Sequence, residues 1–208
     1  MIMLLRIFFV FSSLCLLVAP LNYAHAQSDE VQLSEKEQKA RDLAKAQADA
    51  LQDRINGIMN ELDQSEMAHF MVIYTNYNLY SVVKAVREDV KNAVGGCAKN
   101  NPAMADDLNN RYARWEGSVG SSMKEVDDNI KSMALAQDYV SQNELNSIFD
   151  MVDETRAVNS SQFEKTPVTT PEACEFMMSK MEETQENMIR LLSGTLQSYP
   201  NMLRKTQK

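Results

Sequence analysis

The residue types that could carry chemistry in this chain are few and widely spaced. Met67 and Met71 flank His69, and Met177, Met178 and Met181 cluster near the other end. Soft thioethers hold Cu(I), and a His–Met pair can ligate haem inside a helical bundle, so a methionine- and His69-centred copper or haem binder is one reading. Methionine filling irregular gaps in a bundle, or an adaptable interface, is the plainer reading and the preferred one. No C-x-x-C-H is present to attach haem covalently, and His69 is the only histidine beyond residue 26, where zinc catalysis needs several His or Cys ligands. No metal and no cofactor are expected.

Hydrolytic chemistry is equally thin. "GSVGS" at 117–121 has the wrong order for a nucleophile elbow. A triad would have to use His69, which falls on a helical seam where a hydrogen-bonded core or interface histidine is the simpler assignment. Asp106-Asp107 and Asp127-Asp128 are sequence neighbours. On a helix such neighbours diverge by about 100° and read as solvated faces. Two acids from distant helices would still make a carboxylate-dependent envelope hydrolase, which stands as an alternative. No catalytic residue is assigned.

What a cysteine means depends on compartment. The chain opens MIMLLRIFFVFSSLCLLVAPLNYAHA, with Arg6 as a short positive region and an apolar run from Ile7 to Val18. Ala24-His25-Ala26 then places small residues at −3 and −1. That is the pattern of a cleaved signal peptide over residues 1–26. The apolar run is too short to span a bilayer, which takes roughly 20 residues. A retained N-terminal anchor is the alternative. Export to the periplasm or the exterior follows, with a mature chain from Gln27. In an oxidising compartment the two remaining cysteines, Cys97 and Cys174, are expected to form one disulfide. Closing a loop of that length is worth about 4 kcal/mol. There is no C-x-x-C spacing to make a catalytic thiol pair. Without residue 6 the chain carries 20 Lys plus Arg against 29 Asp plus Glu, which argues against nucleic acid and anionic membrane surfaces.

The elements that must position these residues are helical. "SEKE" from Ser34 is a capping box, and Ala44, Ala48, Leu51, Ile55, Ile58 and Leu62 alternate spacings of four and three. The same phase runs on through Ser65, His69, Val72, Asn76, Leu79, Val83, Val86 and Val90. Two readings are open for 34–94: one continuous helix, or two with a turn near 60–64 and a new cap at Asp63 and Glu66. Gly95-Gly96 is expected to end this helix and leave Cys97 in a turn, with Asn101 as N-cap and Pro102 at N1 of the next. Leu108, Tyr112, Trp115, Val119, Met123, Val126, Ile130 and Met133 form the following seam, with a kink, close contact or fraying expected within "WEGSVGSS". "SQNE" at 141–144 is another capping box, and 159–170 has loop chemistry. Thr170-Pro171 starts a last helix burying Met177, Met181, Met188 and Leu191 and stopping near Gly194 or Pro200. A Cys97–Cys174 bond would staple the end of one helical pair to the start of this helix.

The expected fold is therefore all-α, an elongated antiparallel bundle of four or five helices with coiled-coil-like packing. A flexible stretch 27–33 would precede a single domain 34–198 and a basic tail 199–208. Phe70, Tyr74, Tyr77 and Tyr80 line one helix flank, where they thicken the bundle core or form an interface for an envelope protein partner or a second copy. By architecture alone the chain resembles accessory subunits of bacterial envelope assemblies, such as minor pilus-type subunits of type IV secretion systems, and helical periplasmic chaperones. That resemblance implies a non-catalytic interaction or assembly role, and no residue is carried over from it.

Overall fold

The computed structural model describes residues 34–162 and 165–206, without the side chains of Lys36 and 197–206. The leader at 1–26 and the stretch 27–33 lie outside the described residues. Five α-helices follow one another: α1 (Glu35–Met59), α2 (Gln64–Asn100), α3 (Ala105–Leu135), α4 (Gln142–Ser161) and α5 (Pro171–Thr206). No strand occurs among the described residues, and the helices pack as an all-α bundle.

Of the two readings of 34–94, the divided one holds. Asp63 accepts from the backbone N–H of Ser65 and Glu66 at 2.7 and 2.9 Å, and Glu66 reaches back to the Asp63 N–H at 2.9 Å. This reciprocal cap satisfies donors that a helix start leaves open, so a turn at 60–63 costs little. Ser34 and Glu37 make the same box at the start of α1.

Each helix reverses the direction of the one before it. Arg87 of α2 pairs with Glu116 of α3, and Asn76 and Cys97 of α2 meet Thr195 and Cys174 of α5, so both neighbours run against α2. Tyr77 and Ser81 meet Phe149 and Asp153, so α4 runs along α2 in the same direction. Arg54 pairs with Glu144, and α1 lies antiparallel on α4.

The core has distinct parts. Helices α2, α3 and α5 form a body around Ile73, Val83, Trp115, Val119, Met123, Met181 and Leu192. At one end Leu108 and Val94 pack on the Cys97–Cys174 disulfide, whose S–S distance is 2.05 Å. A second apolar cluster joins Leu51, Ile55 and Ile58 of α1 to Leu145, Ile148 and Val152 of α4, with Phe70 and Ala134 inserted from α2 and α3.

Several boundaries differ from expectation. Gly95-Gly96 does not end α2, which continues to Asn100, so Cys97 sits in its last turn rather than between helices. Gly96 has another use: a Cβ there would lie 3.3 Å from the Val168 carbonyl oxygen, where the segment before α5 crosses α2. Asn101 makes no side-chain cap. Its amide donates instead to the carbonyls of Cys97 and Thr169 at 3.1 and 2.9 Å, and Pro102 opens a single 3₁₀ turn, Pro102–Met104, ahead of α3. "WEGSVGSS" neither frays nor serves as a close-contact point: α3 is unbroken, and Gly117 has nothing within 4 Å of a built Cβ. Ser118 and Ser122 donate back to carbonyls four residues earlier, so their hydroxyls need no outside partner. α4 runs on to Ser161, three residues into the expected loop.

α5 passes through Gly194 and Pro200 to Thr206, so much of the expected tail is helix. Cys174, Met181, Met188 and Thr195 are buried at intervals of seven, and between the last two Leu192 is fully buried while Leu191, expected in the seam, is 40 % exposed.

Candidate interaction surface

The sequence-singled residues come together only in part. Phe70 is wholly buried in the cluster shared by α1 and α4, so it offers no surface. Tyr74, Tyr77 and Tyr80 are half-buried and packed inside the chain. Tyr77 stacks on Phe149 with ring centroids 3.9 Å apart. His69 is half-buried, edge-on to Tyr139 at 5.8 Å, and burial pushes its imidazole pKa down. Met67 and Met71 stand two residues either side of it on a continuous helix, about 200° around the axis. They cannot converge with it on one ion.

Sequence reasoning missed a polar cluster between α2 and α4. Asp153 accepts from the Ser81 hydroxyl at 2.6 Å, the Lys84 ammonium at 2.7 Å and the Tyr77 hydroxyl at 3.2 Å. Arg156, one turn on, donates to the Ser81 hydroxyl at 3.0 Å and to the Asn78 side-chain oxygen at 2.6 Å. Burial pushes the Asp153 carboxyl up, but hydrogen bonds from Lys84 and Ser81 outweigh it and leave it below the usual value. Burial, with Asp153 nearby, pushes the Tyr77 phenol well up. Glu116 is held down chiefly by its hydrogen bonds from Arg87, with Tyr112 adding to them. A general acid needs a carboxyl that keeps its proton near neutrality, and Asp153 and Glu116 are arranged the opposite way. Only a three-residue offset, Ser81 and Lys84 against a carboxylate on another helix, could have signalled this cluster, and nothing in one sequence pairs those helices.

A different surface is open. Between α3 and α5 runs a groove of about 380 Å³. Trp115, Met178 and Met181 form its floor, Arg111, Arg114 and Ser118 one wall, and Glu182 and Gln185 the other. Arg111 is engaged by Asp107 at 3.1 Å, whereas Arg114 and Glu182 make no ion pair with each other across the groove. Trp115 is 2 % exposed, and its indole N–H finds no acceptor among the described residues.

Compared with protein-family models, curated proteins and solved structures, the chain matches none.

Methionines 178 and 181, singled out with Met177 as a cluster, do meet on one surface, and they meet beside a tryptophan rather than a histidine. Among the described residues no group of three or more His, Cys, Asp or Glu side chains is placed to hold a metal ion. No described helix is long and apolar enough to cross a membrane.

Proposed function

We propose that the chain is an exported, non-catalytic helical interaction or assembly protein of the cell envelope, engaging its partner along the α3–α5 groove. The observation that carries this is the composition of the groove. Met178, a partly exposed and adaptable thioether, lies there over the buried Trp115 and Met181, and the rim presents both signs of charge that can fix orientation. A cleft between two helices with an apolar floor is the shape that an amphipathic helix of a partner enters. The N-terminal leader pattern and the net charge of −8 support export and a protein rather than a nucleic-acid partner. Neither the copper or haem reading nor the hydrolase reading gains such support, because His69 diverges from Met67 and Met71, and Asp153 and Glu116 are held ionised by Lys84 and Arg87.

The test is to fill the groove. Ser118→Trp places an indole in the wall without touching the core, and should abolish co-purification of the partner from envelope extracts while leaving the thermal melt unchanged. Undiminished co-purification would overturn the assignment of this surface.

A further inference from the structure

We propose that α1 and α4 form a two-helix arm that opens from the α2–α3–α5 body as one unit, latched to α2 by the Asp153–Arg156 cluster. This goes beyond the groove reading and does not depend on it, since the groove lies wholly within the body.

The division follows the packing. α1 buries Leu51, Ile55 and Ile58 in a cluster with Leu145, Ile148 and Val152 of α4, so the two helices share a core of their own. The body has a separate core around Trp115 and is closed at one end by the disulfide. Arm and body meet in two different ways. Near the connections at 60–63 and 136–141, Phe70 and Ala134 of the body's helices insert into the arm's cluster, which makes that end a pivot. Further along α4, beyond the Phe149 ring that stacks on Tyr77 and packs on the body's core, the contacts with α2 turn polar. Asp153 takes hydrogen bonds from Tyr77, Ser81 and Lys84, and Arg156 donates to Ser81 and Asn78. Ser81 is 2 % exposed, so a hydroxyl occupies a position where an apolar side chain would have glued the helices together.

Polar groups of this kind are nearly as well satisfied by water as by each other, so parting them costs far less than dismantling an apolar core. The closed state depends on a few charge-assisted bonds, and these act together because Ser81 donates to Asp153 while accepting from Arg156. Opening parts Phe149 from Tyr77 and uncovers Tyr77 and Tyr80 on α2, an aromatic face suited to a protein partner.

Hydrogen exchange followed by mass spectrometry on the full mature chain tests this, with Trp115 fluorescence as an independent report on the body. The expected result is that amides of α1 and α4 exchange together, at least roughly ten-fold faster than those of α3 at equal intrinsic rate. Asp153→Ala should speed exchange in α1 and α4 by about ten-fold or more and leave α3 exchange and Trp115 emission unchanged. Arg156→Gln should do the same more weakly. One common rate for all helices, acceleration of arm and body alike in Asp153→Ala, or no acceleration of the arm in either variant would each overturn the proposal.

Discussion

Adjacent glycines in α2 allow a helix-propensity effect to be separated from a packing effect within one turn. A Cβ built on Gly95 meets nothing within 4 Å, whereas one on Gly96 lies 3.3 Å from the Val168 carbonyl oxygen. Both residues are inside a helix, so replacing either by alanine removes the same backbone entropy cost, about 1 kcal/mol. At Gly95 nothing opposes that gain. For a chain of this size the melting temperature of Gly95→Ala should rise by roughly 2–4 °C. At Gly96 the carbonyl must retreat by a few tenths of an ångström. The segment that carries it is pinned by the Asn101–Thr169 bond at 2.9 Å, and the Cys97–Cys174 bond ties α5, which it feeds, to α2. The propensity gain is offset there, and Gly96→Ala should melt at or below the parent temperature. Far-UV circular dichroism melts of parent and both variants, with the disulfide intact, decide it. Equal stabilisation by the two alanines would refute the idea that Gly96 is kept for the crossing strand of chain.

Other expectations follow from the same structure. Replacing both Cys97 and Cys174 by alanine should cost about 4.5 kcal/mol in a denaturant titration, for a closed loop of 77 residues, and non-reducing peptide mapping should recover the linked peptides. Asp153 and Glu116 have folded pKa values below their unfolded ones, so the stability they add is complete above the ordinary carboxylate range and is lost as pH falls through and below it. Asp153→Asn should flatten the acid limb of a stability–pH profile, and an unaltered limb would contradict its ion pairing with Lys84. Tyr77→Ala removes the stack on Phe149 and should cost roughly 2–3 kcal/mol, read in the same titration, because the ring is half-buried and packed in the closed chain. N-terminal sequencing of the natural protein should begin at Gln27.

How far the sequence could be read depends on how local each signal was. The caps at Ser34, Asp63, Ser141 and Thr170 are decided within three residues, and all four start helices where the pattern places them. The α3 seam is buried almost throughout, because α3 turns one broad face to its neighbours. α2 was harder. It contacts three helices, so no single heptad stripe describes it, and Phe70 and Ile73 are buried where His69 and Val72 held the seam positions. Helix ends failed for the same reason. Gly96 responds to Val168, more than 70 residues away, and a glycine kept for a close approach has the same letter as one that stops a helix. The polar cluster and the groove need the pairing of α4 with α2 and of α5 with α3, which hydrophobic period alone does not supply.

The central claim, that this chain works by holding a partner in the α3–α5 groove, is tested most directly by photo-crosslinking in the intact envelope. A photoreactive side chain at Arg114 or Gln185 faces the groove, and one at Asp49, exposed on α1, serves as control. The account predicts one discrete adduct of the same partner from positions 114 and 185, none from 49, and loss of both adducts in Ser118→Trp. Adducts from 49 in place of 114 and 185, or adducts at 114 and 185 that survive Ser118→Trp, would contradict it.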